Sequence, residues 1–434
     1  MSNFITFGCW NKWYCDPRPG QLTNPLSNVI ARMDAFIGTL QTPPAFVCIA
    51  GDNYYPDIRT EPPVEGQEKG KKIKTLSIPD LESGFECLSE FQKRHRGIPI
   101  DIIAGNHDIE DTKKMTIIPA SPDAEALPDA EASPDDGCII TNTEIKATMH
   151  HRTMNFTMFN YRIIHTTLVI MLDSNIYCEK LDDNELQCYT LLVNHTITTL
   201  HLKKLHYESP IANVGQLKTL QQSWLDIMYD AIRGHTIQNV VIVAHHPIAM
   251  YKIKNGCKFQ TTNDEYLKFC YSVYSNIQKM KRNTLQFFYS CADLHTYQAG
   301  VVTLLSGDIP ITIRQEIAGT GGTALEESVA SISDVEQCAK KHASAVLVGY
   351  DMTNVVHSYG FLHWRINSKS GNLTARFIPT HEDEESSHSR SSNHSRRSNH
   401  SRSRSSNHSR RGGTKRRHRT RRYRSAGQFA RRTG

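Results

Sequence analysis

The chain has 434 residues, of which 38% are hydrophobic and 8% aromatic. This composition is typical of a large ordered core diluted by polar segments, and the length allows two or three domains, or one large domain with insertions and a tail. The net charge of +6 is unevenly distributed, because residues 386–434 carry 16 Lys and Arg and no acid, which leaves residues 1–385 with −10. No run of about 18 apolar residues is present, which excludes an ordinary transmembrane helix.

The first residues of the chain and the spacing of its cysteines indicate in which cellular compartment the protein is expected. Residues 1–7 have neither the basic start nor the apolar stretch of a secretory signal peptide. We therefore expect an intracellular protein, cytoplasmic or nuclear and not secreted. Eleven cysteines without CxxC spacing, many of them inside apolar runs, favour reduced core thiols over a disulfide framework. In such a chain the Asn-x-Thr sequences at Asn155, Asn194 and Asn372 have no meaning for glycosylation.

Short β-rich runs recur along the chain, at 46–50, 98–104, 167–172, 240–244, 301–305 and 344–350. Helical patterns lie between some of them. Residues 217–232, for example, place Leu217, Trp224, Met228 and Ile232 on one apolar face. Strands that alternate with helices predict an α/β fold whose chemistry lies at strand ends.

Three segments have compositions that disfavour a packed core. Residues 60–80 are rich in Glu, Lys and Pro, and residues 111–148 include an acidic low-complexity stretch. Neither buries enough apolar area to offset the entropy of ordering, so we expect two mobile insertions. From residue 382 onward, three copies of Ser-Asn-His-Ser-Arg precede a basic cluster. The predicted organisation is therefore a domain at 1–381 and a disordered Ser/Arg/His-rich basic tail at 382–434.

The basic tail has three candidate roles: contact with nucleic acid or another polyanion, an import address, or simple solvation. Its positive charges, without a single acid among residues 386–434, favour sequence-independent, salt-dependent contact with nucleic acid. None of the three roles involves a membrane.

Ligand-type residues concentrate in loops at the ends of four apolar runs. These loops read Gly-Asp-Asn-Tyr-Tyr at 51–55, Gly-Asn-His-Asp at 105–108, His-His-Pro at 245–247 and Asp-Leu-His at 293–295. Each loop alone is as readily a turn or a packing segment. Together, oxygen and nitrogen donors at four strand ends can converge on one point, as a metal site requires.

The order and type of these loops resemble the calcineurin-like metallophosphoesterase superfamily, over about residues 4–380. The tyrosine three residues after the aspartate of the first loop, and a Gly-Cys-Trp-Asn loop at 8–11, are most similar to the purple acid phosphatase branch, which has a Gly-Asp-Trp-Gly loop near its start. The resemblance implies a metallophosphoesterase-type sandwich of two mixed β-sheets flanked by helices.

The resemblance also implies a centre of two divalent or mixed-valence metal ions. Asp52 matches the aspartate that bridges both ions. Tyr55 and His295 match ligands of the first ion, and Asn106 and His245 match ligands of the second ion.

The sequence departs from the family pattern at two ligands. Cys9 stands where the family has an aspartate, and Asp293 stands where it has the first histidine of Gly-His-x-His. Both are expected among the metal ligands, as thiolate and carboxylate, although either change can instead mark a weakened site, and Asn11 or Asp16 can substitute for Cys9. A thiolate favours zinc or iron over manganese or magnesium, so the ion remains open among iron, zinc and manganese.

The activity implied by the resemblance is that of a phosphatase, a metal-dependent phosphoester hydrolase that activates water for in-line attack on phosphorus. The catalytic histidines would be His107, at the phosphate oxygens, and His246, with either as the acid that protonates the leaving oxygen. Two alternatives remain: a catalytically impaired phosphoesterase fold that acts as a nucleic-acid-associated binding or packaging protein, and a phosphodiesterase or nuclease on the same fold. Cys9, Asp293 and the tail motivate the first alternative.

Overall fold

A computed structural model describes residues 2–12, 24–60, 72–110, 115–118, 154–253, 256–281, 284–327, 332–338 and 344–381. The chain divides into Met1–Glu382 and Asp383–Gly434, and the described residues all belong to the first unit. The tail predicted at 382–434 and most of the insertion predicted at 111–148 lie outside the described residues.

The strands are β1 (Ser2–Phe7), β2 (Val47–Ala50), β3 (Asp57–Thr60), β4 (Lys72–Ser77), β5 (Ile100–Ile103), β6 (Met115–Ile118), β7 (Met154–Phe156), β8 (Asn160–Ile164), β9 (Thr167–Met171), β10 (Asn239–Val243), β11 (Ala249–Ile253), β12 (Cys257–Thr261), β13 (Gln286–Cys291), β14 (Tyr297–Leu304), β15 (Ile311–Ala318), β16 (Leu347–Val356), β17 (Gly360–Ile366) and β18 (Leu373–Pro379). The helices are α1 (Pro25–Gly38), α2 (Ile78–Arg94), α3 (Asn175–Cys178), α4 (Asp183–Thr199), α5 (Val214–Ile232), α6 (Asp264–Lys281) and a 3-10 helix at Ile332–Gln337.

Most strands belong to two large mixed sheets. One has the order β18-β17-β1-β2-β5-β7, and its strands β1, β2, β5 and β7 run parallel. The other has the order β16-β14-β15-β13-β10-β9-β8, and its strands β9, β10, β13 and β15 run parallel. The predicted β-rich runs all overlap these strands, so the mixed α/β class is confirmed.

The two large sheets share one hydrophobic cluster. Strands β2, β5, β9 and β10 are buried along their whole length, as expected of parallel strands covered on both faces. Trp364 of one sheet meets Phe288 of the other edge-on, with ring centroids 5.8 Å apart, and Val241 belongs to the same cluster. The hydroxyls of Thr6 and Ser290, 2.8 Å apart, join the sheets near the ends of β1 and β13.

The predicted helix at 217–232 is confirmed and begins three residues earlier. Asn213 caps it, because its side chain accepts a hydrogen bond from the backbone N–H of Gln216 at 3.1 Å. The buried face of α5 includes Leu217, Trp224 and Met228 at the predicted spacing. Among the described residues, no helix is both long enough and apolar enough to cross a membrane.

The structure describes regular elements inside both predicted insertions. Residues 72–80 form β4 and the first turn of α2, and residues 115–118 form β6. Strand β4 pairs antiparallel with β3 and parallel with β6 in a small separate sheet. On β4, Lys72 is exposed while Thr75 and Leu76 are buried, so the strand is buried toward its C-terminal end and its charge-rich composition concealed it.

The prediction of reduced thiols is wrong for some cysteines. Cys257 and Cys338 form a disulfide across a sequence separation of 81, with their Cα atoms 4.9 Å apart. Cys87 and Cys188 are also disulfide-bonded. The free thiols among the described residues are those of Cys9, Cys48, Cys178, Cys270 and Cys291. Spacing along the chain did not reveal the bonds, because pairing depends on distances set by the fold.

Glu316 on β15 gives the fold a pH dependence that can be measured. Burial raises the pKa of Glu316 to about 7, against the lowering effects of the Tyr297 hydroxyl and Arg314. At pH values between the ordinary glutamate pKa and about 7, Glu316 is protonated in the folded protein but ionised in the unfolded protein. The free energy of unfolding therefore falls as the pH rises through this range. We expect Glu316→Gln to match the wild type at pH 4.5 and to exceed its free energy of unfolding by about 2–3 kcal/mol at pH 8.

Urea unfolding at both pH values measures this difference. Glu86→Gln, a change at an exposed glutamate of α2, is the control and should show no comparable pH-dependent gain. A constant offset between Glu316→Gln and the wild type at both pH values would contradict the prediction.

Candidate metal centre

The predicted ligand loops follow strands that run parallel within each sheet, so the loops of one sheet lie at one edge. In the first sheet Cys9 follows β1, Asp52 follows β2 and Asn106 follows β5. In the second sheet His245 follows β10 and Asp293 follows β13. The loop edges of the two sheets lie next to each other, because Cys9 of the first sheet and His245 of the second sheet both approach Asp52.

One carboxylate oxygen of Asp52 faces the first group of donors. Asp52 is 1% exposed, and its Oδ2 accepts a hydrogen bond from Tyr55 Oη at 2.6 Å. Cys9 Sγ lies 3.8 Å from the same Oδ2. Tyr55 Oη in turn lies 2.9 Å from His295 Nε2. Asp52, Cys9, Tyr55 and His295 therefore present oxygen, sulfur and nitrogen donors around one point.

The other carboxylate oxygen faces the second group. His245 Nε2 lies 3.3 Å from Asp52 Oδ1, 2.9 Å from Asn106 Oδ1 and 3.9 Å from Asp293 Oδ1. The backbone N–H of His107 donates to the same Asp52 Oδ1 at 3.1 Å. The structure thus brings all seven predicted ligands into one continuous cluster around Asp52.

Both histidines direct the same nitrogen into the cluster. His245 Nδ1 lies 2.9 Å from the Ala50 carbonyl, and His295 Nδ1 lies 3.1 Å from the Ala324 carbonyl. Since a carbonyl only accepts, each Nδ1 carries a hydrogen, and in the neutral ring Nε2 keeps a lone pair that faces Asp52 in His245 and the Tyr55 hydroxyl in His295. This is the arrangement that orients histidine ligands in metal sites.

A cation fits this cluster on the chemistry of its donors. Ligand atoms of Cys9, Asp52 and His245, all buried, lie within 4.8 Å of one another. The lone pair of a neutral His245 Nε2 faces the carbonyl oxygen of Asn106 at 2.9 Å, an approach that is repulsive unless a proton or a cation lies between the two atoms.

The backbone is strained at three of the predicted ligands. Cys9, Asp52 and Asp293 have positive φ angles of 54°, 54° and 55°. Non-glycine residues in this region cost about 1 kcal/mol or more each, and such residues concentrate at functional sites. The strain supports a functional cluster, because an ordinary turn at these positions has no reason to retain three such residues.

Asp108 forms hydrogen bonds that join the loop at 51–55 to the loop at 105–108. Its carboxylate accepts hydrogen bonds from Asn53 N and Nδ2, both at 2.8 Å, and from Gly105 N at 2.6 Å. Trp10 Nε1 donates to Asn53 Oδ1 at 2.9 Å and adds the Cys9 loop to the assembly. Sequence reasoning had not assigned a role to Asp108, although its place in the Gly-Asn-His-Asp loop was a signal.

The buried charges explain how the cluster holds its protons. Burial raises the pKa of Asp52, but His245 and His107 outweigh burial and lower it to about 2. Burial and the Asp52 charge raise the pKa of both Cys9 and Tyr55 well above their ordinary values. Asp52 therefore keeps its charge while Cys9 and Tyr55 keep their protons, and cation binding would displace protons from these two donors.

His107 lies at the exposed side of the cluster. Its Nδ1 is 2.8 Å from Glu110 Oε1, and Glu110 pairs with Lys74 at 2.5 Å. Burial opposes protonation of His107, but Asp52 and Glu110 outweigh it and raise its pKa to about 9. The spacing of three residues between His107 and Glu110 was visible in the sequence, but the role of Lys74 was not.

His246 is held by residues that sequence reasoning missed. Its Nδ1 lies 2.9 Å from Ser174 Oγ, and its Nε2 lies 3.1 Å from Glu179 Oε1. Ser174 belongs to the loop after β9, and Glu179 follows α3. Both ring nitrogens are therefore engaged, and the ring is fixed beside His245.

Of the two substitutes considered for Cys9, the structure describes Asn11. The Asn11 amide donates to the Leu81 carbonyl at 3.1 Å, which directs it toward α2. Asp16 lies outside the described residues.

Two cavities open beside the cluster. One, of about 450 Å³, is lined by Asn106, by the lysines Lys72, Lys74 and Lys180 and by the glutamates Glu110, Glu179 and Glu185, with apolar residues between them. The other, of about 390 Å³, is lined by His246, Asp293 and uncharged polar residues such as Asn263.

No protein-family model matches the chain, and no curated protein matches it.

Proposed function

We propose that this chain is a metal-dependent phosphoester hydrolase, a phosphatase of the calcineurin-like metallophosphoesterase type with a dinuclear metal centre. The observation that carries the proposal is the division of donors between the two carboxylate oxygens of Asp52. A single carboxylate that faces two donor sets is the arrangement that a bridging ligand requires. The mixed sheets, with parallel strands ending at the cluster, are compatible with the sandwich of that superfamily.

The donor sets suggest which residues would hold each ion. Asp52 Oδ2, Cys9, Tyr55 and His295 would hold the first. Asp52 Oδ1, Asn106, His245 and Asp293 would hold the second. The sulfur of Cys9 favours iron or zinc at the first position, whereas the second position, with oxygen donors beside one nitrogen, also suits manganese.

Bound metal ions would supply the Lewis-acid chemistry, which lowers the pKa of water and neutralises charge on a phosphoryl group. The chain's own residues bind and orient the substrate. His107, steadied by Glu110, donates a hydrogen bond to a phosphoryl oxygen. His246, fixed by Ser174 and Glu179, is placed to transfer a proton to the leaving oxygen.

The cavity of about 450 Å³ beside Asn106 offers a substrate access to the cluster. Its three lysines are matched by three glutamates, Glu110, Glu179 and Glu185, so its walls carry no excess positive charge. The negative charge of a phosphate ester would therefore be met by the bound metal ions and His107 rather than by the cavity walls.

Metal analysis combined with an activity assay tests the proposal. Purified full-length protein, stripped by chelation and reloaded with iron, zinc or manganese, is expected to bind two ions per chain and to hydrolyse an aryl phosphate monoester faster than the diester. The reverse preference would indicate a phosphodiesterase or nuclease. Metal-free protein with background hydrolysis under every loading condition would overturn the proposal.

Cys9 provides a spectroscopic test of the ligand set. Cobalt-loaded protein is expected to show a thiolate-to-cobalt charge-transfer band in the near ultraviolet, which Cys9→Ser should remove. Cys48→Ser changes a buried free thiol outside the cluster and should leave the band intact. A band that persists in Cys9→Ser would exclude the sulfur ligand.

One observation favours the impaired alternative. Tyr55 already donates its one hydroxyl hydrogen to Asp52 Oδ2 at 2.6 Å, a contact that needs no cation. A binding protein built on this fold would keep this hydrogen bond and bind no metal. The basic tail would then supply the interaction with nucleic acid or another polyanion, and its truncation should abolish that salt-dependent binding.

A further inference from the structure

The disulfides point to the conditions under which this chain folds. The Cys257–Cys338 bond joins the start of β12 to the residue that follows the 3-10 helix, and Cys87 and Cys188 are disulfide-bonded as well. Structural disulfides are rare where glutathione and thioredoxin keep thiols reduced. Each bond forms by loss of two electrons and two protons from a thiol pair to a disulfide oxidant, which an oxidising compartment supplies. In such a compartment the Asn-x-Thr sequences gain meaning.

Asn372 lies where a glycan can be accommodated. It is exposed in the turn between β17 and β18, and its backbone carbonyl accepts a hydrogen bond from Asn367 N at 2.9 Å. Within the described part of the chain, its amide Nδ2 has no hydrogen-bond partner. Thr374, which completes the sequon, is exposed on β18. A sugar on Asn372 would project into solvent without displacing any packed side chain.

Asn194 is the second accessible position. It is exposed on α4, and its Oδ1 accepts a hydrogen bond from the Tyr207 hydroxyl, while no described residue pairs with its Nδ2. Thr196 of this sequon is buried, where its hydroxyl accepts from Met158 N at 2.9 Å. The enzyme that attaches N-linked glycans recognises the sequon in the extended chain, before folding. Burial of Thr196 in the folded protein therefore does not prevent glycosylation of Asn194.

Asn155 differs from Asn372 and Asn194 because its side chain is engaged with a buried ion pair. It lies on β7, and its Nδ2 donates to Asp101 Oδ1 at 3.1 Å. Asp101 is 1% exposed and is ion-paired with Arg162. A glycan on Asn155 would have to enter this buried pair, so a folded molecule cannot carry one there.

We propose that this chain folds in an oxidising, glycosylating compartment and carries N-linked glycans at Asn372 and Asn194 but not at Asn155. The donor is an oligosaccharide linked to a lipid pyrophosphate. The asparagine amide nitrogen forms a bond to the anomeric carbon, the bond from that carbon to the pyrophosphate oxygen breaks, and the amide loses one proton to a base. The inference is independent of the proposed function, because none of these residues belongs to the metal cluster.

Site-resolved mapping of the full chain tests the proposal. The chain is expressed in the same eukaryotic cells with and without a secretory leader, alkylated, digested without reduction and deglycosylated in heavy-oxygen water. The product with the leader should show isotope-labelled Asn372 and Asn194, unlabelled Asn155 and a crosslinked Cys257–Cys338 peptide. The sequons Asn393, Asn399 and Asn407 of the tail are resolved as separate peptides.

Matched variants separate modification from folding. Thr374→Ala and Asn194→Gln should each remove one glycan from the map, whereas Asn155→Gln should remove none. The leaderless product should have alkylated Cys257 and Cys338 and melt roughly 5 °C or more below the secreted one after its glycans are removed. The proposal is overturned if Asn372 or Asn194 is unoccupied, if folded protein carries a glycan at Asn155, or if both products melt together with Cys257 and Cys338 free.

Discussion

Asp52→Asn is expected to lower phosphoester hydrolysis by roughly 10³-fold or more and to reduce the metal content from two ions per chain to one or none. Asp52 is the one residue whose two side-chain oxygens face the two donor groups. Asparagine keeps the shape of the side chain but replaces one of these oxygens with an amide nitrogen, which donates hydrogen bonds and does not bind cations. The bridge between the two positions is therefore lost while the volume is conserved.

The charge of Asp52 adds to this effect. Because its pKa is lowered to about 2, the carboxylate is ionised at any pH at which the enzyme would be assayed. The substitution removes that negative charge from a buried cluster in which His107 and His245 are neighbours. A cation then meets fewer negative ligands, and its affinity falls at both positions.

Elemental analysis, an aryl phosphate assay and circular dichroism of the same sample measure the result. Asp226→Asn, on the exposed face of α5, is the control and should retain metal content and activity. Full metal content and wild-type rates in folded Asp52→Asn protein would contradict the bridging role.

The sequence predicted the parts of this site that depend on strand ends. A polar loop after an apolar run can be recognised in the sequence, and parallel strands bring such loops to one edge of the sheet. For this reason Asp52, Asn106, His245 and His295 could be selected without a structure. The helical periodicity of α5 could also be recognised, because a helix that is buried on one face has apolar residues three and four positions apart.

Other features depend on distances that a sequence does not contain. The left-handed backbone at Cys9 and Asp293 falls on residues that seldom adopt it, so no glycine marks the turn. Glu179 reaches His246 only after the chain folds. The Cys257–Cys338 bond spans 81 residues and joins segments with no local signal. Composition also concealed β4, because its two lysines outweighed its apolar residues.

A second prediction concerns Gly105, which lies against the loop that carries Asp52. A Cβ atom added to Gly105 would lie 2.2 Å from both the backbone nitrogen and Oδ1 of Asp52. These distances are far inside van der Waals contact, and a backbone atom cannot rotate away as the end of a side chain can. The loop that carries Asp52 would therefore have to move.

The neighbouring contacts leave little room for that movement. Gly51, with φ of 86°, lies against Gly105 and His245, and a Cβ on it would come within 2.7 Å of both. Asp108 binds Gly105 N and Asn53 together. Displacement of one loop consequently breaks the hydrogen bonds of the other, and the Asp52 oxygens lose their alignment with both donor groups.

We expect Gly105→Ala to destabilise the fold by about 3 kcal/mol and to reduce metal content and hydrolysis together. Gly234→Ala is the matched control, because a Cβ there meets no atom within 4 Å, and its expected effect on stability is neutral or slightly favourable. Chemical unfolding and elemental analysis of both variants measure the contrast. Equal behaviour of the two variants would show that the close approach of Gly105 to Asp52 has no part in aligning the site, since the substitution adds the same methyl group in each case.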